Sequence, residues 1–312
     1  MSNKWLRAWM IALIFCIGTA TDAAHASGRF PLMIGLGDSI SAAALADTST
    51  QKQWNIPWGL PFPSLDNPLE GIGFKSDFEN KRTLSWVSGV TIDSHYKRLL
   101  RIYRAQGEKL WSLNFAETGS VSQRLFNQVG EVETALKLGL FKSIPYITLL
   151  IGANDLCKSV PVDTFHQNIH GIFEKIASLK SPDGKPIRIL VSSVPKIPDL
   201  GEEKVLEYHT AGGYRCRAIR TTRVSYCRGM TQWKTEEEHQ QLNAQVDQVN
   251  DILRSETLEA ERRFPQLETF FSSALSERKV VPEDLAMDCF HPNQSGQEKI
   301  AEVLWGEQPW FH

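Results

Sequence analysis

The residues with the clearest potential for chemistry are a serine near the amino end and an aspartate and a histidine near the carboxyl end. Ser39 follows the apolar run in "PLMIGLGDSISAAAL". A strand that ends on Gly37, with a helix starting at once, would leave the Ser39 hydroxyl at a sheet edge beside free helix N–H groups. This position suits a nucleophile, and it also suits an ordinary N-cap, where Ser and Asp are favoured for structural reasons.

Asp288 and His291 are three residues apart in "MDCFHPNQSG". On a tight turn the carboxylate can reach Nδ1 of the imidazole, fix its tautomer and stabilise the imidazolium that forms when Nε2 takes a proton. The alternative interpretation is a loop and a capped helix start with a hydrogen-bonded histidine. Combined with Ser39, the pair would supply the nucleophile, the base and the orienting carboxylate of acyl transfer.

Apolar runs of strand length alternate with helical patterns along the chain. The predicted strands span 30–37, 109–116, 146–153 and 187–194. The predicted helices span 121–138, 162–180 and 236–263, and a last helix starts near Pro292. The strands are nearly continuous in apolar residues, which is typical of parallel strands covered on both faces. The pattern therefore predicts an α/β fold, a three-layer α/β/α sandwich with a mainly parallel, flavodoxin-like sheet.

Polar turns follow the first three predicted strands. They span 37–39, 117–120 and 152–155. Because ligands bind at the carboxyl ends of parallel strands, three such turns at one edge predict a functional site there. Two other hydrolase patterns, Gly-x-Ser-x-Gly and His-Glu-x-x-His, are absent from the sequence.

His166 and His170 are four residues apart on a predicted helix and could ligate a metal ion. No third ligand is evident in the sequence, so a solvated helix face is the favoured interpretation. We therefore predict neither a metal site nor a cofactor.

The first 26 residues have the three parts of a secretory signal peptide. Lys4 and Arg7 form a basic region, residues 9–20 an apolar region, and residues 24–26 an Ala-x-Ala cleavage site. The apolar region is shorter than the ~20 residues that a bilayer span needs, and no later segment is long and apolar enough. We expect an exported protein, periplasmic or secreted, with no transmembrane segment after cleavage.

The composition of the mature chain limits its partners and its domain count. Loss of the signal peptide changes the formal net charge from −2 to −3, which argues against a nucleic-acid partner. No linker or repeat divides residues 27–312, so we predict a single domain.

Residues 47–85 fit no periodicity and predict a long ordered insertion above the first strand. Its Trp54, Trp58 and Phe62 either bind substrate or pack onto the body of the protein.

The sequence resembles the GDSL, or SGNH, hydrolase family. Four motif blocks of that family occur here in order, and they are "GDSIS", "NFAETGS", "GANDLC" and "DCFHP". The resemblance implies a catalytic triad of Ser39, Asp288 and His291. It also implies an oxyanion hole formed by the backbone N–H groups of Ser39 and Gly119 and the side-chain amide of Asn154.

The function implied by the resemblance is that of an exported serine esterase without a cofactor. The segments "LSWVSG" and "SSVPKIPDL" and the cysteine before Phe290 resemble the phospholipase B-like branch. This favours acyl esters of lipids as substrates, as in a phospholipase, a lysophospholipase or a lipase. One alternative is a carbohydrate O-deacetylase on the same scaffold. Another is a non-catalytic envelope binding protein, because fold alone does not fix function.

Four cysteines remain after the signal peptide, and an even number in an oxidising compartment favours disulfides over a metal site. If the third and fourth motif blocks meet at one catalytic centre, Cys157 and Cys289 are drawn together. A bridge needs Cα atoms roughly 4.4–6.8 Å apart, which neighbouring loops can satisfy. This hypothesis pairs Cys157 with Cys289 and leaves Cys216 and Cys227 to close a local loop. The alternative is four buried free thiols.

Overall fold

The computed structural model describes residues 30–47, 81–209, 213, 215–220 and 226–311. The predicted signal peptide and most of the predicted insertion lie outside the described residues. Trp54, Trp58 and Phe62 therefore lie outside them too. No helix in the described part of the chain is long and apolar enough to cross a membrane.

A five-stranded sheet forms the centre of the molecule. Its strands are β1 (Phe30–Gly37), β2 (Trp111–Asn114), β3 (Phe141–Leu150), β4 (Ile187–Ser192) and β5 (Leu267–Ser272). They lie in the order β2-β1-β3-β4-β5, and every neighbouring pair is parallel. This is the strand order of flavodoxin-like sheets, and the prediction of a mainly parallel sheet is confirmed.

Five long helices cover the sheet in the described part of the chain. They are α1 (His95–Ala105), α2 (Leu125–Leu136), α3 (Val162–Ser178), α4 (Glu236–Arg263) and α5 (Gln294–Glu307). Short helical turns occupy Ala153–Cys157, Glu203–Leu206, Cys216–Arg220, Arg228–Thr231 and Ala274–Glu277. Turns of 3-10 helix occupy Arg82–Leu84, Ser122–Arg124, Ile197–Gly201 and Pro282–Asp284.

Alternate residues of each strand point to opposite faces of the sheet, and each face has its own core. Leu32, Ile34 and Leu36 of β1 pack with α2, α3 and α4 in one buried cluster. Met33 of β1 and Leu190 of β4 pack with α1 and α5 in the other. Helices thus cover both faces, which confirms the three-layer sandwich.

The sequence prediction missed one strand and one helix. β5 lies at the edge of the sheet, and its buried and part-buried residues are mixed, so it lacks the continuous apolar run that marks the inner strands. The sequence of α1, "HYKRLLRIYRA", is strongly basic, and only His95 and Leu99 are buried in it. Both elements belong to the fold with fewer buried apolar residues than the prediction required.

β3 begins five residues earlier than predicted, and a proline lies inside it. Its register with β1 shifts between Phe30 and Pro31 and again between Pro31 and Met33. Pro145 of β3 lies opposite this irregular stretch, between Ser143 and Tyr146. A proline cannot donate a hydrogen bond to the sheet, and bulges are where inner strands tolerate it.

A buried histidine joins three elements in the core that contains α1 and α5. His95 contacts the Tyr146 hydroxyl through Nδ1 at 3.0 Å and the Ala301 carbonyl through Nε2 at 3.2 Å. Trp86 and Trp305 approach the imidazole edge-on, at 5.1 and 5.2 Å between ring centroids. Complete burial lowers the pKa of His95 to about 3, so the ring is a neutral structural link.

Gly37, the last residue of β1, has an unusual backbone conformation. Its φ is 144°, and a Cβ atom there would lie well under 3.0 Å from the Leu150 carbonyl oxygen. The same Cβ would lie 2.9 Å from Ser41 Oγ. Only glycine therefore fits at the point where the chain leaves the sheet.

We expect Gly37→Ala to destabilise the protein by more than ~3 kcal/mol, because the new methyl group must displace backbone of β3. Gly107→Ala is the matched control, since Gly107 also has a positive φ, of 75°, but nothing lies within 4 Å of its added Cβ. The control should lose only about 1–2 kcal/mol from the left-handed conformation. Urea unfolding of both variants measures the difference, and equal losses would contradict this account.

Candidate active site

Ser39 lies in the turn that follows β1, with 6% of its surface exposed. The preceding Asp38 N–H donates to the Leu150 carbonyl at 3.3 Å, so the chain stays against β3 as it leaves the sheet. The predicted helix start after Ser39 is wrong, since residues 39–43 form turns. Ala43 and Leu45 have φ values of 56° and 57°, which interrupt a right-handed helix.

Asp288 and His291 form a hydrogen-bonded pair, as their spacing predicts. His291 Nδ1 lies 2.6 Å from Asp288 Oδ2, and the two side chains are 5% and 12% exposed, in that order. Asp288 Oδ1 accepts hydrogen bonds from the backbone N–H groups of Phe290 and His291 at 3.0 and 3.1 Å. The pair leaves His291 Nε2 as the ring nitrogen that can exchange a proton.

Opposing effects act on the Asp288 carboxyl. Burial alone would raise the pKa of Asp288, but the neighbouring His291 ring and the two backbone donors outweigh it and hold the pKa below its usual value. The carboxylate therefore stays charged and can stabilise a protonated imidazole.

Helix α5 joins the Asp288–His291 turn to the Ser39 turn. Gln297 Nε2 donates to the Ile40 carbonyl at 3.0 Å, and Gln297 Oε1 accepts from the Trp86 N–H at 2.9 Å. Asn293 caps the helix by accepting from the Gly296 N–H at 3.0 Å, so α5 begins two residues after Pro292. The carboxylate–imidazole pair and Ser39 consequently lie at the same edge of the sheet.

The turn at 117–122 and the turn after β3 are also joined. Asp155, 1% exposed, accepts from the Ser122 N–H and from the Ser122 hydroxyl, the latter at 2.6 Å. Burial raises the pKa of Asp155, although the Ser122 hydrogen bonds lower it. Gly119 lies in the first turn with φ of 78°, and its carbonyl accepts from Lys158 Nζ at 2.7 Å. Asn154 lies beside Asp155 in the short helix Ala153–Cys157.

The predicted oxyanion-hole donors are not engaged elsewhere. Among the described residues, the N–H groups of Ser39 and Gly119 and the Asn154 side chain have no hydrogen-bond acceptor. In that same part of the chain, neither Ser39 Oγ nor His291 Nε2 has a hydrogen-bond partner, so these two groups are not in direct hydrogen-bond contact. In enzymes without bound substrate, the bond between a nucleophile and its base is often long.

Asp38 is a fully buried carboxyl beside Ser39. Its Oδ1 accepts from the Ile40 N–H at 3.0 Å, while its Oδ2 is buried and has no partner among the described residues. Burial raises the pKa of Asp38 to about 7, even though the Ile40 hydrogen bond and the charge of His291 lower it. Asp38 is thus mainly protonated in the folded protein below about pH 7.

Glu117 is a further largely buried carboxylate, two residues before Gly119. Its side chain is 10% exposed, and Oε2 lies 3.0 Å from Nε of Arg124. The arginine offsets the charge of this carboxylate, two residues before the predicted oxyanion-hole donor Gly119.

Aromatic side chains form one wall beside His291. Phe290 and Tyr226 approach the imidazole edge-on, at 5.0 and 5.5 Å between centroids. Arg220 lies over the Phe290 ring at 5.1 Å. Burial lowers the pKa of Arg220 to about 10, with Asp288 acting in the opposite sense. Tyr226 is 50% exposed, so part of this wall faces solvent.

The predicted disulfide pairing is wrong, although all four cysteines are bridged. Cys157 pairs with Cys227 and Cys216 pairs with Cys289, with Cα–Cα distances of 4.6 and 5.6 Å. Proximity of two motif blocks does not decide where their side chains point. Cys157 ends its short helix next to Arg228–Thr231, and Cys289 is fully buried against the helix that starts at Cys216.

His166 and His170 both contact one carboxylate, which the sequence did not reveal. His166 Nε2 lies 2.6 Å and His170 Nδ1 2.9 Å from the oxygens of Glu256 on α4. Arg263 Nη1 lies 2.7 Å from His170 Nε2. The two imidazoles remain 51% and 42% exposed, in keeping with the predicted solvated face.

Two positioning residues were missed in the sequence. Gln128 hydrogen-bonds both backbone polar groups of Gly37. Its Oε1 accepts from the Gly37 N–H at 2.9 Å, and its Nε2 donates to the Gly37 carbonyl at 2.8 Å. It lies on the buried stripe of α2, between Leu125 and Val129. Gln297 likewise lies on the buried stripe of α5. A polar residue on an apolar helix face was the available indication, because such a group must find a partner when buried.

Comparison with known proteins assigns the family. Residues 33–304 match the family model described as GDSL-like lipase/acylhydrolase. The chain belongs to this family, as the motif blocks predict. No curated protein sequence matches the chain significantly.

Several solved structures are similar to this chain at low sequence identity. Axe2, an acetylxylan esterase from Geobacillus stearothermophilus, is 14% identical, with a TM-score of 0.47, over 91% of this chain and 98% of that one. The lipase Lip_vut3 from a goat rumen metagenome is 14% identical, with a TM-score of 0.46, over 88% and 96%. TesA is 13% identical, with a TM-score of 0.45, over 88% and 96%.

Asp38 should make the stability of the protein fall as pH rises. Its ordinary pKa is 3.8, so the folded chain binds more protons than the unfolded chain between about pH 4 and pH 7. The unfolding free energy should therefore decrease over this window, and Asp38→Asn should lack that decrease, by up to about 4 kcal/mol.

Chemical denaturation of both proteins at pH 4 and pH 8 measures this difference. Asp163→Asn, which removes an exposed carboxyl on α3, is the control and should follow the wild-type pH profile. An Asp38→Asn variant with the wild-type pH profile would show that this carboxyl is charged in the folded protein.

Proposed function

We propose that this protein is an exported serine esterase that hydrolyses acyl esters of lipids. The observation that carries the proposal is the buried Asp288–His291 pair, 2.6 Å between Oδ2 and Nδ1, at the sheet edge that holds Ser39. Membership of the GDSL-like lipase/acylhydrolase family supports ester hydrolysis as the reaction class.

The acylation step uses three side chains. His291 Nε2 takes the proton of Ser39 as Oγ attacks the ester carbonyl, and Asp288 stabilises the imidazolium that forms. The N–H groups of Ser39 and Gly119 and the Asn154 amide hold the oxyanion of the tetrahedral intermediate. The imidazolium then returns the proton to the leaving alcohol, and the acyl group remains on Ser39.

The deacylation step repeats this chemistry with water. His291 takes a proton from the water molecule as its oxygen attacks the acyl-enzyme, and the same donors hold the second oxyanion. The proton passes back to Ser39 Oγ as the carboxylic acid leaves. Each step is carried by groups of this chain.

The aromatic wall beside His291 favours a substrate with an apolar acyl group. Tyr226 and Met287 are 50% and 36% exposed, and Tyr226 contacts the His291 ring. An acyl chain packed on these side chains would remove apolar surface from water. We assign Trp54, Trp58 and Phe62 to substrate binding as well.

Export fits the two disulfides, because such bonds persist in oxidising compartments. The other support for export is the amino-terminal sequence, which has the basic, apolar and cleavage-site regions of a signal peptide. The mature protein would then act in the periplasm or outside the cell.

The catalytic assignment predicts that either of two substitutions strongly lowers the rate of ester hydrolysis. Ser39→Ala and His291→Ala should each lower kcat/KM for an ester by more than ~10³-fold, because the two groups act as a unit. Asn154→Ala should lose about 10²–10³-fold in kcat with little change in KM. Steady-state hydrolysis of para-nitrophenyl butyrate measures these effects.

Ser41→Ala is the matched control for this series. Ser41 lies two residues from Ser39, is buried, and has no partner for its hydroxyl among the described residues. The control should keep wild-type turnover and react at Ser39 with a fluorophosphonate probe. Near-normal activity of Ser39→Ala, or failure of the wild type to be labelled, would instead favour a binding protein.

The substrate assignment predicts that rates rise with acyl-chain length. From acetyl to medium-chain para-nitrophenyl esters, each added methylene should raise kcat/KM by up to about fourfold, since its burial contributes ~0.8 kcal/mol at most. Tyr226→Ala should flatten this rise, whereas Leu258→Ala, at an exposed apolar position of α4, should not. A preference for acetylated sugars over lipid esters would move the assignment to the O-deacetylase.

A further inference from the structure

A second cluster of polar side chains lies between the turn after β4 and the first turns of α4. Asp199 lies in the turn Ile197–Gly201, and Glu202 follows that turn directly. His239 and Asn243 are four residues apart and share one face of α4. One ligand atom from each of Asp199, Glu202 and His239 lies within 4.8 Å of the other two.

Three atoms of this cluster form a small triangle. His239 Nε2 lies 3.0 Å from Asp199 Oδ1 and 3.0 Å from the Asn243 amide, and the amide lies 3.4 Å from Asp199 Oδ1. Ligands bound about 2.1 Å from one cation lie about 3.0 Å apart in octahedral geometry and about 3.4 Å apart in tetrahedral geometry. The spacing of the three groups matches that of adjacent metal ligands.

With the Asn243 amide in its present orientation, hydrogen bonding does not pair all three sides of this triangle. A neutral imidazole Nε2 can donate to Asp199 or accept from Asn243, but it cannot do both. Asn243 Oδ1 is buried and has no partner among the described residues. A half-turn of this amide would bring Oδ1 toward Nε2 of His239 and Oδ1 of Asp199. Two oxygens would then face Nε2 together, an arrangement in which either the Nε2 proton or a bound cation can lie between the three atoms.

Neighbouring side chains fix the histidine ring as they do in metal sites. Trp233 stacks on His239 at 4.5 Å between centroids, and its own Nε1 donates to the Pro198 carbonyl at 2.9 Å. Glu236 Oε1 lies 3.7 Å from His239 Nδ1, the nitrogen that faces away from the triangle. This carboxylate is too far from Nδ1 for a hydrogen bond, so the ring orientation rests on the Trp233 stack and on the contacts of Nε2.

We propose that Asp199, His239, Asn243 and Glu202 bind one divalent first-row cation of the Zn²⁺ or Mn²⁺ class. The donor set of one imidazole, two carboxylates and one amide oxygen suits these ions, and their charge neutralises both carboxylates. Lys204 engages one oxygen of Glu202 at 2.7 Å, which leaves the other for the ion. The cation would fasten the turn after β4 to α4, independently of the ester chemistry.

Calorimetric titration of the chelator-treated full chain with Zn²⁺ or Mn²⁺ alone tests the site. The wild type should bind a single equivalent of at least one of these ions, and its melting temperature should rise with the ion concentration. Asp199→Asn and His239→Gln should weaken binding by more than roughly tenfold. His170→Gln, which alters the other histidine cluster, is the matched control and should bind like the wild type.

Asn243→Asp separates a metal site from a hydrogen-bonded cluster even if another variant folds poorly. A carboxylate at this position is a stronger ligand, so the variant should bind the ion more tightly than the wild type. If the amide only donates hydrogen bonds, the added carboxylate would repel Asp199, lower the melting temperature and bind no ion. That result, or absence of saturable binding by the wild type, would overturn the proposal.

Discussion

The Gly37 peptide is held on both sides by one buried side-chain amide, and the arrangement of the site depends on this contact. Gln128 accepts from the Gly37 N–H at 2.9 Å and donates to its carbonyl at 2.8 Å, while the same nitrogen lies 3.3 Å from Ser120 Oγ. The Glu117 N–H also donates to the Gly37 carbonyl. A buried residue at the last ladder position of β1 needs such partners for the N–H and carbonyl that the neighbouring strands do not pair. One glutamine thus joins α2, the 117–120 turn and the end of β1.

A second glutamine acts from the opposite face of the sheet. Gln297 of α5 donates to the Ile40 carbonyl, three residues after Gly37, and accepts from the Trp86 N–H. The helices α2 and α5 belong to different core clusters, so the two amides reach the Ser39 turn from different layers. Because both are completely or almost completely buried, neither can exchange its partner for water without a large desolvation cost. The turn that carries Ser39 is therefore fixed from both sides by the packing of the helices.

The sequence predicted the parts of this structure that depend on apolar periodicity and motif order. Four of the five strands, the parallel sheet, the two-sided helix packing and the Asp288–His291 contact follow from them. The direction in which a side chain points does not follow from these patterns. The motif order places Cys157 and Cys289 in one region, but each of them pairs with a different cysteine. The strand β5 was missed because its burial pattern is mixed, and Glu256 was missed as the partner of two histidines because it is 86 residues or more away. Contacts of this range are set by tertiary packing, which no local pattern encodes.

Both disulfides end in the segment between Cys216 and Cys227, and its composition explains why covalent links are needed there. The segment is rich in arginine and lacks the apolar stripe that would pack a helix onto the body of the protein. Its Arg220 is 2% exposed, and burial lowers the pKa of this guanidinium to about 10. The charge of Asp288 and the Phe290 ring at 5.1 Å offset part of that cost, and both flank the Cys289 bridge. The bridge to Cys289 therefore keeps a desolvated cation in the same region as the carboxylate that orients His291. Since a nearby opposite charge stabilises a desolvated cation, Asp288 contributes to the stability of this segment as well as to the orientation of His291.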